Sequence, residues 1–379
     1  MRLQTLSYHR DGGWTAPTLP PWDSPGTLVL AFAAPSFEAE PALWRQLAEA
    51  YPRSHVLGCS TAGEVHGTRV LDDSIAVAVM AFERTALRTA LAPVGPGGDG
   101  FAAARQVAHA LGDPGLRAVI ALCDGRDING SDVVRGLGSA LDPAVVVTGG
   151  LAGDGDRFQR TWTLVDAAPR AGFITAVGLY GDAVRVGHGA KGGWDVFGPE
   201  RVVTRSAGNV LYELDGRPAL ELYETYLGEL SAGLPAAALL FPLLVRDPAP
   251  GGRRLVRTIL DIDHAAQSMT FAGDVPQGFR AQLMRANLDR LVQGASDAAL
   301  LALGAGVPAG EALSIAISCV GRRLVLGQRV EEESEATLEA FPAGTRQVGF
   351  YSYGEISPYA AGRCELYNQT MALTTIWEE

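Results

Sequence analysis

The chain has 379 residues, more than the usual length of one domain, so we expect two domains. Hydrophobic residues make up 47% of it and charged residues 19%, which excludes an intrinsically disordered chain. The formal net charge is −11, and no stripe of Lys and Arg could neutralise a run of phosphates, so we expect no nucleic-acid partner.

The start of the chain lacks the basic stretch and apolar run of a signal peptide. The longest apolar windows, 27–35 and 234–245, are shorter than the roughly 18 residues of a membrane span. The cysteines stand singly, without the paired spacing of a zinc site or a disulfide scaffold, so reduced thiols are expected. We therefore predict a cytoplasmic protein with no membrane span. The cysteines are Cys59, Cys123, Cys319 and Cys364.

Short apolar runs alternate with helical patterns through the first half of the chain, which predicts a sheet with helices packed on it. Short runs with turn residues between them follow and add antiparallel strands, so the sheet is expected to be mixed. The predicted strands are 27–34, 55–59, 73–82, 116–123, 144–148, 161–165, 172–180 and 183–188, and the predicted helices are 36–51, 101–111 and 131–141.

A turn at 215–218 leads into the second half, and the domain boundary is predicted between Arg205 and Pro218. The domains are therefore expected at 27–210 and 215–375. The predicted fold class is α/β, with two domains, each a mixed β-sheet with packed helices. The predicted strands here are 238–245, 254–260, 268–271, 313–319, 347–353 and 370–377, and the predicted helices are 219–230, 279–303 and 331–340.

The first candidate site is the segment 58–65, GCSTAGEV, at the end of a predicted strand. Gly63 lets the backbone approach a ligand, Ser60 and Thr61 offer donors and acceptors, and Glu64 can receive an amine. The alternative is a tight turn in which Glu64 caps backbone amides. Cys59 could act as a nucleophile only with an activating base, so a structural or ligand-lining thiol is the preferred interpretation.

Two further segments also place glycines and polar side chains at the end of a predicted strand. The glycine-rich loop 148–156 follows a predicted strand but lacks the complete pattern of a phosphate-binding loop, so it is either a plain turn or a wall of a ligand site. The strand 350–353 ends in Gly-Glu, as the first segment does, and is followed by a polar run. The candidate residues are Gly149, Gly150, Gly153 and Asp154 in the first of these and Tyr351, Tyr353, Gly354, Glu355 and Asn368 in the second.

The ordered motifs GCSTAGE, GGLAGD and YSYGEI together resemble the FIST family, and the resemblance covers about 27–374. It implies a FIST N-terminal sensory domain and a FIST C-terminal domain in a bacterial signal-transduction protein. The implied ligand is a small molecule such as an amino acid. The implied partner is a separate histidine kinase or cyclic-di-GMP enzyme.

Some members, the NosP-like proteins, bind haem b and respond to nitric oxide, and this would require an axial ligand to the iron. Among the six histidines, we prefer His188, because it lies between glycines after a strand pattern and before Trp194 and Phe197, where a small-residue loop could admit a flat macrocycle. The alternative is a hydrogen-bonded or surface-loop histidine.

Three functional hypotheses follow from these observations. The leading one is a sensor, not an enzyme, whose ligand lies in a cleft formed by the three motif loops, with Glu64 and Glu355 facing it. The second is a NosP-like haem-based nitric-oxide sensor. The third is an enzyme that uses Cys59 or the pair Glu64 and Glu355 for acid–base chemistry.

Overall fold

The computed structural model describes residues 1–95, 98–126, 128–308, 310–359 and 363–379. The strands are β1 (Arg2–His9), β2 (Gly13–Trp14), β3 (Thr27–Ala33), β4 (His55–Ser60), β5 (Glu64–His66), β6 (Arg69–Leu71), β7 (Ser74–Ala81), β8 (Ala86–Pro93), β9 (Leu116–Cys123), β10 (Val146–Leu151), β11 (Thr163–Val165), β12 (Ala168–Arg170), β13 (Phe173–Tyr180), β14 (Val184–Lys191), β15 (Trp194–Ala207), β16 (Val210–Leu214), β17 (Arg217–Pro218), β18 (Leu243–Arg246), β19 (Arg254–Arg257), β20 (Ile259–Asp263), β21 (Ser268–Phe271), β22 (Arg280–Ala286), β23 (Ala312–Cys319), β24 (Thr345–Ser352), β25 (Gly354–Tyr359), β26 (Arg363–Tyr367) and β27 (Met371–Glu378).

The α-helices are α1 (Pro41–Ala50), α2 (Gly100–Leu111), α3 (Gly130–Gly138), α4 (Ala219–Leu227), α5 (Leu288–Ala302), α6 (Val320–Leu326) and α7 (Val330–Glu339). Short 3₁₀ helices span Pro35–Ala39, Gly228–Gly233, Ala236–Leu240, Leu303–Ala305 and Gly327–Arg329. In the described part of the chain, no helix has the length and apolar character that a membrane crossing requires.

The strands form four sheets. Sheet 1 has the order β12-β11-β4-β3-β7-β1-β2, sheet 2 the order β26-β25-β10-β9-β13-β8, and sheet 3 the order β14-β27-β23-β24-β5-β6. Sheet 4, with the order β19-β18-β22-β15-β16-β21-β20, is built from the segment 194–286, which lies between β14 and α5. Sheets 2, 3 and 4 each combine strands from both of the predicted domain ranges.

Sheets 1, 2 and 3 each contain one copy of the same four-stranded arrangement, and we call these copies units 1, 2 and 3. In each unit a parallel pair of strands is connected through helix (β3 and β4, β9 and β10, β23 and β24), as parallel pairing requires. The last strand of the unit pairs antiparallel with the first strand of that pair and with an outer strand. This threefold repeat was not among the features predicted from the sequence.

The three units exchange hairpins in a ring. The hairpin β5–β6 belongs to unit 1 but extends sheet 3, β25–β26 belongs to unit 3 but extends sheet 2, and β11–β12 belongs to unit 2 but extends sheet 1. Each hairpin follows the second strand of the parallel pair in its own unit, which is β4, β10 or β24; β10 and its hairpin are separated by the segment 152–162. The exchange therefore brings the ends of β4, β10 and β24 together at one place.

The mixed α/β fold class predicted from the sequence is confirmed. The predicted long helix at 279–303 is wrong in its first part, where β22 pairs on both sides with β15 and β18. Pairing on both sides overrides the helix-forming composition of 280–286. The helix begins only after Asn287, whose side chain accepts a hydrogen bond from the backbone N of Arg290.

Candidate functional site

The ends of β4, β10 and β24 are joined by a ring of three backbone hydrogen bonds. Each bond runs from an amide just after one strand to a carbonyl at the end of another, so the three motif segments identified in the sequence meet in space. The bonds are Ala62 N to Tyr351 O at 2.8 Å, Tyr353 N to Leu151 O at 3.2 Å and Gly153 N to Ser60 O at 3.0 Å.

The threefold repeat of the units also defines one equivalent position in each of the three hairpins. Strand register places Glu64 opposite Phe350, Glu355 opposite Gly150 and Thr163 opposite Cys59. Two units therefore carry a glutamate at this position, and the third carries a threonine. The segment 154–161 has no counterpart in the other two units.

Glu64 is a buried carboxyl group held by hydroxyls. It is 1% exposed and accepts hydrogen bonds from Oγ1 of Thr61 and from Oγ of Ser74 at 2.7 Å, with the backbone N of Ser74 at 3.3 Å. Burial raises the pKa of Glu64 to about 8, although these hydrogen bonds favour the ionised form. Glu64 is therefore mostly protonated at neutral pH and can ionise when a cation approaches.

Glu355 has a closely similar set of partners. It is fully buried and accepts hydrogen bonds from Oγ of Ser352 at 2.8 Å and from Oγ1 and N of Thr370 at 2.8 and 3.2 Å. Burial raises its pKa to about 8 as well. Each glutamate thus accepts from a hydroxyl three residues earlier and from a hydroxyl beyond its hairpin, where the last strand of the unit begins (Ser74) or just before it begins (Thr370).

A cleft of about 660 Å³ opens beside Glu64, and we call it the Glu64 cleft. Its walls come from units 1 and 2 and from the segment 320–330 of unit 3. The residues that line it are Ala34, Pro35, Ser36, Thr61, Ala62, Gly63, Glu64, Val70, Asp72, Asp73, Asp154, Gly155, Asp156, Arg157, Val320, Arg323, Leu324, Gly327 and Val330.

The charges in the Glu64 cleft are mainly acidic, with five carboxyl groups against the guanidinium groups of Arg157 and Arg323. Arg323 donates to the backbone O of Ala62 and to Asp72 at 2.7 Å. Gly63 has a φ of +129°, and a Cβ there would lie 2.3 Å from Nη1 of Arg323, so glycine is required. Arg323 therefore connects helix α6 to the loop that carries Glu64.

Asp154 is a structural part of the wall. It is 2% exposed and accepts hydrogen bonds from the backbone N of Gln159 and of Arg160, both at 2.9 Å, and from the hydroxyl of Tyr353. The ring of Tyr353 stacks on Phe158, with centroids 4.6 Å apart. Tyr353 thus supports the cleft from behind and does not line it.

The structure divides the predicted site residues into two groups. The Glu64 cleft is lined by four of the predicted residues, Thr61, Gly63, Glu64 and Asp154. It is also lined by charged and polar residues that were not predicted from the sequence: Ser36, Asp72, Asp73, Arg157 and Arg323. The predicted residues that do not line it are Cys59, Ser60, Gly149, Gly150, Gly153, Tyr351, Tyr353, Gly354, Glu355 and Asn368.

Packing accounts for several residues of the second group. Cys59 lies in the apolar core, where burial raises the pKa of its thiol well above the ordinary value, so a reactive thiolate is disfavoured. Gly149 faces β9, the parallel neighbour of β10 in the same unit, and a Cβ there would lie 1.8 Å from the O of Ala121. Gly58 and Gly349 meet the carbonyls of equivalent alanines in the same way, which makes these glycines a requirement of the repeated fold.

Glu355 is enclosed by sheet 4 and its connections. The neighbouring Gln369 donates from Nε2 to the backbone O of Leu239 and to Oγ1 of Thr258, both at 3.1 Å. Asn368 donates from Nδ2 to the O of Tyr353 at 3.4 Å, and its side-chain Oδ1 accepts from the N of Thr258, also at 3.4 Å. The expectation that Glu64 and Glu355 both face one cleft is not met, because 194–286 covers the second.

His188 lies opposite Thr374 of β27, within β14, which continues to Lys191, whereas the predicted strand ended at His188 and was followed by a loop. The glycines beside it serve close packing, since a Cβ at Gly187 or Gly189 would lie 1.8 or 2.1 Å from a carbonyl of helix α5. The space beside these glycines, which suggested room for a macrocycle, is therefore filled by helix α5. His188 is half-buried, and burial lowers its pKa. These surroundings do not fit haem.

Among the described residues, no group of three or more His, Cys, Asp or Glu side chains has a geometry that could hold a metal ion. The features of the site therefore define a class: an α/β protein of three hairpin-exchanging units with an acidic cleft of small-ligand size.

The chain belongs to the FIST family. The model of the FIST N domain matches residues 27–217, and the model of the FIST C domain matches residues 219–358. FIST domains are sensory domains of signal transduction that bind small ligands. The Glu64 cleft combines residues from both matched ranges. No curated protein matches the chain.

Solved structures give remote similarities. A cyanuric acid hydrolase from A. caulinodans aligns with 100% of this chain and 99% of its own, at 10% identity and a TM-score of 0.37. PurLQS from Thermotoga maritima aligns with 78% of this chain and 72% of its own, at 8% identity and a TM-score of 0.23. Neither score supports an argument about fold or function.

Proposed function

We propose that this chain is a sensory protein that binds a small ligand with a protonated amine, such as an amino acid, in the Glu64 cleft. The observation that carries the proposal is a buried, titratable carboxyl group at the wall of an acidic cleft. The excess of carboxyl groups favours a ligand ammonium, and Arg157 and Arg323 are available for a ligand carboxylate. The volume of about 660 Å³ suits a small molecule.

Binding of an ammonium group should release a proton. Because burial holds the pKa of Glu64 at about 8, this group is mostly protonated at neutral pH, and a cation beside it favours the ionised form. The wild-type protein is therefore expected to release up to one proton per ligand bound at pH 7. Calorimetric titration in buffers of different ionisation enthalpy measures this quantity.

The signal would pass through helix α6. Asp72, which holds Nη2 of Arg323, is largely exposed, and a ligand ammonium can compete with Arg323 for it. Release of Arg323 would change the contact between α6 and the loop 61–64, and ligand binding would shift the population of the two arrangements. A separate histidine kinase or cyclic-di-GMP enzyme would read the arrangement.

A thermal-shift screen of amino acids and simple amines, followed by calorimetry on the compounds that stabilise the chain, tests the proposal. Glu64→Gln is expected to weaken binding at least about tenfold and to abolish proton release. The deaminated analogue of each binding compound is expected to lose affinity to a similar degree.

Glu355→Gln is the matched control, because it makes the same change at the equivalent position of another unit, outside the cleft. It should leave the affinity unchanged. If no compound stabilises the chain, or if Glu64→Gln binds as tightly as the wild type, the proposal is wrong.

A further inference from the structure

A second cavity, of about 1190 Å³, lies between sheet 4 and unit 2. Its walls come from β18 and β19, from helix α3 and the segment after it, and from the hairpin β25–β26. Among the described residues it shares no lining residue with the Glu64 cleft. We call it the Arg257 cavity, and it is a site independent of the proposed function.

Much of the wall of the Arg257 cavity is apolar. Phe101, Leu141 and Val147 come from unit 2, and Leu255 and Phe279 come from the segment that forms sheet 4. Removing apolar surface from water is the main source of affinity for small ligands in such cavities. The wall therefore suits a ligand with an apolar body.

The polar end of the cavity is formed by Arg257, whose side chain is 2% exposed. Its Nε donates to the O of Asp274 at 2.9 Å and its Nη1 to the O of Leu366 at 3.0 Å. Within the described part of the chain, Nη2 has no hydrogen-bond partner. The carboxylate of Glu365 lies 3.9 Å from Nη2 and is already held by Arg253 at 2.9 Å.

A buried cation with an unused donor is costly unless an anion pairs with it. The cavity is lined by four arginines and three carboxyl groups, so its wall carries one positive charge more than it carries negative charges. A ligand with a single negative charge would balance this excess, whereas a phosphate dianion would reverse it. The guanidinium fork also matches the geometry of a carboxylate.

We propose that the Arg257 cavity binds a monocarboxylate with an apolar body, with the carboxylate accepting a hydrogen bond from Nη2 of Arg257. The ligand would contact both sheet 4 and unit 2. These parts are also joined directly, because Asp274 accepts hydrogen bonds from Asn129 at 2.7 Å and from Arg135. Occupation of the cavity therefore strengthens the attachment of sheet 4 to the core.

Calorimetric titration of the full chain with 4-phenylbutyrate, 4-phenylbutanol and phenyl phosphate tests the proposal. The carboxylate should bind at least about tenfold more tightly than the matched alcohol and than the phosphate. Binding that is equal for the alcohol, tighter for the phosphate, or absent for the carboxylate at millimolar concentration would overturn it.

Three variants locate the binding. Gly138→Phe adds a ring to the wall at a position where a Cβ meets no atom within 4 Å, so the chain should fold and the carboxylate should no longer bind. Arg253→Gln frees Glu365 to pair with Arg257 and should weaken binding about tenfold. Arg254→Gln is the control, because it removes the same charge one residue away, outside the cavity, and it should leave the affinity unchanged. Unchanged affinity in Gly138→Phe would show that the ligand binds elsewhere and would overturn the assignment.

Discussion

Glu64 and Glu355 occupy equivalent positions of two units and have the same kinds of partners, yet only Glu64 faces a cleft. Each accepts hydrogen bonds from a hydroxyl three residues earlier and from a hydroxyl beyond its hairpin, at or just before the start of the last strand of its unit. Burial raises both pKa values to about 8. Glu355 is covered by the segment 194–286, through Gln369 and Asn368, whereas the corresponding space beside Glu64 is open.

The difference shows that a Gly-Glu pair at a strand end is primarily a structural feature of this fold. The buried carboxyl group receives its hydrogen bonds from nearby hydroxyls, at the place where the hairpin joins the neighbouring sheet. Whether the glutamate can also contact a ligand depends on whether another segment of the chain covers it. In unit 2 the position is taken by Thr163, and residues 154–157 of the inserted segment form a wall of the Glu64 cleft.

The largest expected effect is a difference in stability between variants of two adjacent arginines, Arg322 near Glu355 and Arg323 in the Glu64 cleft. Arg322 and Glu333 form an ion pair that is 0% exposed on both sides, and Arg322→Met leaves the Glu333 carboxylate buried without it. This variant should lose about 3–5 kcal/mol of unfolding free energy in urea denaturation. Arg323→Met, at the Glu64 cleft, should lose less than about 1 kcal/mol, because its ion pair with Asp72 is exposed. Equal losses would remove the distinction.

The pH dependence of stability tests the equivalence of the two glutamates. A carboxyl group whose pKa rises from 4.5 unfolded to about 8 folded stabilises the protein below 4.5, and that contribution is lost as pH rises to about 8. Each group contributes a slope of at most about 1.4 kcal/mol per pH unit. Glu64→Gln and Glu355→Gln should each reduce the decline of the unfolding free energy between pH 5 and 8, measured by urea denaturation at each pH. If the unfolding free energy of both variants declines as steeply as that of the wild type, the raised pKa values are contradicted.

The smallest expected effect concerns the third equivalent position. Oγ1 of Thr163 is buried and has no hydrogen-bond partner among the described residues. Thr163→Val keeps the shape and the β-branched character of the side chain, so stability should stay within about 1 kcal/mol of the wild type, on the favourable side. A loss well beyond that in thermal denaturation would show that this hydroxyl is used as the glutamates are.

The sequence predicted most elements of the first half and the three motif segments that meet in the structure. Alternating apolar runs are a local signal, and they identified β3, β7, β9 and β13 because these strands are buried on both faces. The segment 280–286 was assigned wrongly because its pairing partners lie far away in the chain. The threefold repeat was not seen because the units share topology and single glycines, not residues throughout.

For the site, the sequence determined the chemistry of Glu64, Thr61 and Asp154, and the ordered motifs pointed to the FIST family. It could not show which of the two Gly-Glu pairs is open, because Glu355 is closed by residues about one hundred positions earlier in the chain. It also could not select Arg323, Asp72 or the Arg257 cavity. Strand periodicity and turn residues are encoded locally, whereas access to a buried carboxyl group is decided only when distant segments pack over it or leave it uncovered.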